Sequence, residues 1–317
     1  MLAGSRTRRR MLGSGVAALA LLGGRARAQD ATALAADDPP TLIDTEPDIA
    51  DSVIAPVMLN GLGPFRFLVD TGANASCLSQ ALADKLMLPA GDPVRVHTIV
   101  GPRLRLSVVI DHLEIGTRVR RKVRAPVLPM EAFGVDGVLG IDWLKGQRLV
   151  FGFAARTLEI TRSRAEVAVP GQVLVPARRK SGQLTIVDAD LSGRRISAMI
   201  DSGSQFSLGN TALRRLVSLA DPKAEAQATK VRMLSIAGES FSGDQLFLPF
   251  IRLGGLTMGN APAIFADMPV FKLWDLHESP TLMLGIDLLA QFTTVALDFG
   301  RSSVRFDLAE PPPAREV

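Results

Sequence analysis

Two short stretches of the chain each place an acid at the end of an apolar run. Residues 67–73 read Phe-Leu-Val-Asp-Thr-Gly-Ala, and residues 198–204 read Ala-Met-Ile-Asp-Ser-Gly-Ser. An acid before a small hydroxyl residue and a glycine is common in turns, so a single copy would be a weak signal. Two copies, with Asp70 and Asp201 131 positions apart, indicate a pair of carboxyl groups that act together.

Paired carboxyl groups can hydrolyse an amide. When they lie close together, both cannot ionise cheaply, so the pair holds one proton. The ionised member removes a proton from water as general base, and the protonated member protonates the amide oxygen as general acid. Which aspartate plays which part is a property of the pair. The competing interpretation of Asp70, an Asx-turn at the end of a strand, is weakened by the second copy.

The surrounding pattern predicts a β-hairpin that leads into each acid. The hairpins span residues 53–69 and 184–200, and each is built from apolar runs that flank a turn. A short helix follows each acid, with Ser79 as the N-cap of the first and Asn210 as the N-cap of the second. Many further short apolar runs, separated by 20 prolines and 28 glycines, favour an all-β protein.

Both halves also contain two apolar residues followed by a glycine and, two positions later, an acid. The glycines are Gly140 and Gly285. The acids are Asp142 and Asp287, which we expect to cap short helices rather than to act chemically. The repeated order of hairpin, acid, helix and glycine favours an internal duplication, with its boundary near residues 164–170.

These motifs resemble the aspartic proteases, and the short lobes resemble the retropepsin-like branch more than pepsin. In that family a hairpin leads into Asp-Thr/Ser-Gly, and two apolar residues and a glycine follow later in each lobe. The resemblance implies an all-β, bilobal fold of two retropepsin-like β-barrel lobes with short helices. Because both lobes lie in one chain, a monomer is expected to be sufficient for activity.

The resemblance also implies roles for the residues beside the two aspartates. Thr71 and Ser202 would hydrogen-bond across the lobe interface and lock the pair of carboxyl groups. Gly72 and Gly203 would let the backbone pass close to the carboxylates and donate hydrogen bonds to them.

Gly140 and Gly285 would let the neighbouring strand cross tightly beneath each catalytic loop. A substrate-covering hairpin, or flap, is expected in each lobe. The residues expected at the flap tips are Val100, Gly101, Ala237 and Gly238. The chain contains no tyrosine, so the flap tyrosine of pepsin has no counterpart.

The N-terminus is predicted to be an export signal. Residues 1–28 hold six arginines and no acid, a twin-arginine-like pattern at 7–12, an apolar run at 11–22 and an Ala-x-Ala site at 26–28. The apolar run is too short to span a bilayer, and no cysteine follows it to carry a lipid anchor. A periplasmic or secreted protein without a stable membrane anchor is therefore expected. The predicted segments are a Tat-like signal peptide (1–28), a linker or arm (29–48), an N-terminal lobe (49–165), a C-terminal lobe (166–310) and a tail (311–317).

The composition argues against several classes of function. Without the six arginines of residues 1–28, 30 basic residues stand against 32 acidic ones, so nothing global indicates nucleic-acid binding. The single cysteine, Cys77, rules out an intrachain disulfide. The three histidines are scattered without metal-ligand spacing, and we expect no metal and no cofactor.

The favoured function is that of an exported bacterial aspartic endopeptidase whose peptide or protein substrate lies extended between the lobes and pairs with the flaps. The alternative is a non-catalytic periplasmic binding or assembly protein on the same scaffold. The intact aspartates and glycines argue against this alternative, and the missing tyrosine keeps it open.

Overall fold

The computed structural model describes residues 20–22, 40–47, 52–143, 146–180, 183–186 and 188–308. Strands make up most of the described chain, and short helices connect them. The same order of elements occurs twice, once in each lobe. The predicted all-β, bilobal fold is therefore confirmed.

The first half of the chain forms the N-terminal lobe and part of the sheet between the lobes. Its strands are β1 (Ala20–Leu22), β2 (Thr41–Asp44), β3 (Glu46–Pro47), β4 (Val53–Leu59), β5 (Leu62–Val69), β6 (Cys77–Ser79), β7 (Ala90–Thr98), β8 (Gly101–Ile115), β9 (Arg118–Leu128), β10 (Gly137–Leu139), β11 (Gln147–Gly152) and β12 (Thr157–Arg162). Helix α1 (Gln80–Lys85) and 3-10 turns at Glu131–Phe133 and Ile141–Trp143 lie between them. The lobe is a nine-stranded sheet in the order β1-β7-β8-β9-β6-β10-β5-β4-β3, and an added β4–β8 pairing curls it toward a barrel.

The second half repeats this arrangement. Its strands are β13 (Gln172–Lys180), β14 (Gln183–Ile186), β15 (Ala189–Leu191), β16 (Arg194–Arg195), β17 (Ser197–Ile200), β18 (Leu208–Gly209), β19 (Thr229–Leu234), β20 (Ser240–Leu253), β21 (Leu256–Phe265), β22 (Thr281–Leu284), β23 (Thr294–Asp298) and β24 (Ser303–Asp307). The helices are α2 (Thr211–Ala220), a 3-10 turn at Ala224–Gln227, α3 (Pro269–Leu273) and α4 (Ile286–Leu289).

The two lobes share strands. The order β13-β24-β23-β11-β12-β2 joins strands from both halves, and β13 continues into the second lobe through β14. At its centre β11 pairs with β23, so that Leu149 lies opposite Leu297 and both are fully buried. This shared sheet fixes how the lobes sit against each other.

Part of the predicted linker or arm belongs to the folded structure. Strand β2 pairs with β12, with Ile43 buried and Leu42 exposed, and β3 pairs with β4. The strand is only four residues long and its sequence, Thr-Leu-Ile-Asp, has no apolar–polar alternation, so nothing local predicts a strand there. Of the predicted signal peptide, the structure describes only Ala20–Leu22, whose backbone pairs with β7. The predicted tail, residues 311–317, lies outside the described residues.

Both predicted hairpins and both predicted helix caps are present. The Ser79 hydroxyl accepts a hydrogen bond from the Leu82 N–H (3.1 Å), and the Asn210 side chain accepts one from the Leu213 N–H (2.8 Å). Strand β21 was not predicted, because Gly, Asn and Pro within it are typical of loops; its pairing with β20 overrides that preference. No helix in the described part of the chain is long and apolar enough to cross a bilayer.

The shared sheet leads to a test of stability. Leu297→Ala should lower the free energy of unfolding by about 3 kcal/mol, because it leaves a cavity between strands of the two halves. Leu308→Ala, at a position that is 42% exposed, should change the free energy by less than about 1 kcal/mol. Urea denaturation of both variants measures the difference, and equal effects would contradict a central role for the shared sheet.

Candidate active site

Each aspartate lies where two parallel strands end side by side. Asp70 follows β5, which pairs with β10, and its N–H donates to the Leu139 carbonyl (3.0 Å). Asp201 follows β17, which pairs with β22, and its N–H donates to the Leu284 carbonyl (3.0 Å). In each lobe, the strand that carries the apolar-apolar-Gly motif is thus hydrogen-bonded to the strand that carries the acid.

The glycines of that motif lie where the chain crosses itself. A Cβ added at Gly140 would lie 2.7 Å from the Ala75 carbonyl carbon, and one added at Gly285 would lie 2.5 Å from that of Phe206. A side chain at either position would therefore force the loop that carries the aspartate away from its supporting strand.

The two loops bring the carboxyl groups together at the interface between the lobes. The side chains of Asp70 and Asp201 are each 2% exposed, and they are hydrogen-bonded to each other. A Cβ at Gly72 would lie 2.4 Å from an oxygen of Asp201, and a Cβ at Gly203 would lie 2.4 Å from an oxygen of Asp70. Only glycine lets each loop come this close to the opposite carboxyl group.

Burial makes ionisation of both carboxyl groups costly. Desolvation raises the pKa of Asp70 well above its ordinary value, and the negative charge of Asp201 raises it further. Desolvation also raises the pKa of Asp201, while hydrogen bonds from Asp70 and from the backbone of Gly203 oppose that rise. The pair is therefore arranged to keep one proton between the two carboxyl groups.

Thr71 and Ser202 form a reciprocal set of hydrogen bonds between the lobes. The Thr71 N–H donates to the Ser202 hydroxyl (3.1 Å), and the Ser202 N–H donates to the Thr71 hydroxyl (3.0 Å). Each hydroxyl then donates to the opposite strand, Thr71 to the Ile200 carbonyl (3.2 Å) and Ser202 to the Val69 carbonyl (2.8 Å). All four bonds are buried and tie the two loops into one unit.

A second pair of supports follows the same two-fold pattern. Asp142 accepts hydrogen bonds from the N–H (3.0 Å) and hydroxyl (2.9 Å) of Ser76, whose hydroxyl oxygen accepts one from the Gly140 N–H (3.1 Å). In the second lobe Asp287 and Ser207 make the same contacts, and the Ser207 hydroxyl accepts from the Gly285 N–H (3.0 Å). The two acids therefore hold the catalytic loops, and the expectation that they cap helices was wrong.

Sequence reasoning missed these serines, although a signal was present. Ser76 and Ser207 each lie six positions after an aspartate of the pair. It also missed Gln183, for which no motif exists. The side-chain amide of Gln183 donates to the Gly72 carbonyl (3.1 Å) and to Asn74 (3.0 Å), and so holds the first loop from the second lobe.

The predicted flap tips are the turns of two hairpins above the pair. Val100 lies between β7 and β8 and Gly101 is the first residue of β8, while Ala237 and Gly238 lie between β19 and β20. Both glycines have positive φ (128° and 80°), which a side chain would disfavour.

Each flap tip packs against the opposite lobe. Ile99, beside Val100, lies in an apolar cluster with Met199 and Leu208 of the second lobe. Ala237 lies in a cluster with Leu68 and other residues of the first lobe. The flaps are therefore crossed over the aspartates.

A glutamate links the two flaps. One carboxylate oxygen of Glu239 accepts a hydrogen bond from the Thr98 hydroxyl (2.6 Å), and the other forms an ion pair with Arg103 (2.7 Å). Its side chain is only 16% exposed, so water screens this contact weakly. The position equivalent to Glu239 in the first flap is Pro102, which has no carboxylate. The second flap therefore contacts the first through this glutamate, and the first flap has no equivalent contact to offer.

Beneath the flaps a cavity of about 280 Å³ contains both carboxyl groups. Its walls are mostly apolar, with contributions from Leu68, Phe133, Phe206 and Phe241. The two carboxyl groups therefore lie in an apolar space beneath the flaps.

Cys77 and the two tryptophans, whose side chains could in principle take part in chemistry or binding, are buried in the protein. Cys77 is fully buried, and burial raises the pKa of its thiol well above the ordinary value, so it is a poor nucleophile. Trp143 and Trp274 are both buried in the protein core. In the described part of the chain, no three His, Cys, Asp or Glu side chains cluster as metal ligands would.

Comparison with known proteins agrees with this geometry. A family model described as "Aspartyl protease" matches residues 55–143 and 187–288, which are 89 and 102 residues, or 191 of 317 together. The first matched region contains Asp70 and Gly140, and the second contains Asp201 and Gly285. A search of curated proteins found no significant match. The two-region match confirms the resemblance drawn from the motifs.

The bonds between the loops can be tested at Ser202. Ser202→Ala should destabilise the protein by about 2 kcal/mol, because the buried Thr71 N–H loses its acceptor. Ser202→Thr keeps a hydroxyl group at the position and should recover most of the loss. Urea denaturation of both variants provides the measurement. If alanine and threonine behaved alike, the hydroxyl would not be what joins the loops.

The buried Asp142 predicts a pH dependence of stability. Desolvation raises its pKa from 3.8 to about 6. A raised pKa means that the folded state binds the proton more tightly, so this contribution is full below pH 3.8 and is lost as pH rises through about 6. The loss corresponds to about 3 kcal/mol. In Asp142→Asn, stability between pH 4 and 7 should be flatter by roughly that amount, as chemical denaturation at several pH values would measure; parallel profiles would contradict the assignment.

Proposed function

The chain belongs to the aspartyl protease family, and we propose that it is an exported endopeptidase that hydrolyses peptide bonds with a water molecule activated between Asp70 and Asp201. The observation that carries the proposal is the buried, hydrogen-bonded pair of carboxyl groups at the floor of a cavity closed by two flaps. Its substrate is a peptide or protein segment, and a single chain supplies the complete site.

The reaction follows from the single shared proton. The ionised member of the pair takes a proton from the water, whose oxygen then attacks the carbonyl carbon. The protonated member gives its proton to the carbonyl oxygen and so avoids a free oxyanion, and which aspartate plays which part is a property of the pair. When the resulting gem-diol collapses, the member that took the proton from water gives it to the amide nitrogen and the C–N bond breaks. One hydroxyl of the gem-diol returns its proton to the other member as the carboxylic acid product forms, so the pair again holds one proton.

The substrate is held as an extended strand. Peptides in this conformation add to open strand edges through backbone hydrogen bonds, and among the described residues the edge of β19 that faces away from β20 is open for this. Because the flap tips are packed against opposite lobes, a substrate must separate them before it can enter. Opening of the flaps is therefore part of the catalytic cycle that we propose.

Export is proposed from the sequence alone. The arginines, apolar run and Ala-x-Ala site of residues 1–28 support a Tat-like signal and a periplasmic or secreted location.

Under the alternative of a non-catalytic binding or assembly protein, the scaffold would be kept and the chemistry lost. The two carboxyl groups favour the catalytic proposal. So do Gly72 and Gly203, where any side chain would collide with the aspartate of the opposite lobe.

Peptide hydrolysis by the purified protein tests the proposal. Asp70→Asn and Asp201→Asn should each reduce cleavage of a peptide library at least about 10³-fold, because either change removes the acid–base pair. Asp84→Asn, on the exposed side of α1, is the matched control and should retain activity.

The pH profile is a second part of this test. Cleavage should persist above pH 3.8, the ordinary pKa of an aspartate, and should fall as pH rises through the raised pKa of the pair. If the libraries remain uncut from acid to neutral pH and a statine-type inhibitor does not bind, the binding or assembly alternative is the better description.

A further inference from the structure

The two flaps repeat one sequence pattern. Residues 94–101 read Val-Arg-Val-His-Thr-Ile-Val-Gly, and residues 231–238 read Val-Arg-Met-Leu-Ser-Ile-Ala-Gly. The final glycine has positive φ in both copies, and the Thr or Ser is buried in both. Arg95 and Arg232 therefore occupy equivalent positions on the first strand of each flap.

One of these arginines lines the cavity that contains the paired aspartates. Among the described lining residues, Arg232 is the sole charged group besides Asp70 and Asp201. The flap isoleucines, Ile99 and Ile236, line the same cavity. Each arginine precedes its isoleucine by four residues, which is about 13 Å along a strand. By the two-fold relation between the flaps, an extended peptide centred on the two aspartates would pass one arginine on each side of its central bond.

The strand edge beside each arginine is suited to a peptide backbone. Within the described residues β19 pairs only with β20, and its other edge lines the cavity from Arg232 to Ser235. The equivalent edge of β7 is occupied by β1, which runs antiparallel to it with Leu22 opposite Arg95. This edge therefore does accept an extended segment in the position that the two-fold relation gives to a substrate.

Both arginines are available for an added carboxylate. Their side chains are exposed, and among the described residues no acid forms an ion pair with either of them. The Arg232 guanidinium donates only a long bond to the Ser240 hydroxyl (3.3 Å). A guanidinium with free N–H groups beside a peptide-binding edge matches the geometry of a substrate carboxylate.

We propose that Arg95 and Arg232 select substrates that carry an acidic residue on each side of the scissile bond, about three to four positions from it. This inference rests on the proposed proteolytic function, because it names the substrates of that site. The apolar cavity accepts the residues at the cleaved bond, and the two arginines fix the register of the strand at its ends.

Synthetic peptides with one apolar core provide the test. The reference peptide carries Gln at the third and fourth positions on each side of the cleaved bond. In the test peptides Glu replaces one of these Gln residues before the bond, after the bond, or on both sides. Each well-placed Glu should raise kcat/KM about three- to tenfold in low salt, and the gain should shrink as salt is added. Arg232→Glu should reverse the preference to Lys on one side only, and Arg95→Glu on the other side. Arg215→Glu, on the exposed face of α2, should leave the preference unchanged.

The outcomes separate this inference from the proposed function. Cleavage of Glu and Gln peptides at equal rates would overturn the inference while leaving the protease proposal intact. If no peptide is cut, binding of statine-containing peptides with Glu or Gln at the same positions is measured by calorimetry. Tighter binding of the Glu peptides, lost in Arg232→Glu or Arg95→Glu, supports the inference, and equal or absent binding overturns it.

Discussion

Two buried carboxyl groups repel each other whenever both are ionised, so other interactions must hold Asp70 and Asp201 side by side. The four hydrogen bonds of Thr71 and Ser202 do this at the centre of the molecule. They are buried and link a loop of one lobe to a loop of the other, so neither loop can move alone. The surrounding strands, the glycines and the serine–aspartate contacts hold these two loops at a fixed distance. Because the two carboxyl groups share one proton, one of them is ionised and the other protonated, as an acid–base pair requires.

The duplication explains most of the site, and its exceptions are informative. The loops, the crossing glycines and the flap arginines occur in matched pairs. Gln183 reaches from the second lobe to the first catalytic loop, and Glu239 joins the flaps from one side only. A covalently joined pair of lobes can differentiate its two halves in this way, whereas two identical chains cannot.

Much of this arrangement could be predicted from the sequence because it is local or repeated. The hairpins, the caps at Ser79 and Asn210 and the all-β class follow from short-range patterns, and the pairing of Asp70 with Asp201 follows from the second copy. Strand β21 could not be predicted, since its pairing with β20 outweighs its Gly, Asn and Pro. The contact of Gln183 with Gly72 joins residues 111 positions apart, and no local pattern encodes it. The role of Asp142 was misjudged because its partner, Ser76, lies 66 residues away.

The sheet shared by the lobes has a consequence for the order of events during synthesis. Strand β11 must wait for β23, in which the partner of Arg148 is Asp298, 150 residues later, before the shared sheet can form. Pairings of such long sequence separation form slowly and late. The pair of aspartates therefore cannot reach its final arrangement on a partly made chain, however well the first half is folded. Any activity that depends on the pair would arise only once the last strands are in place.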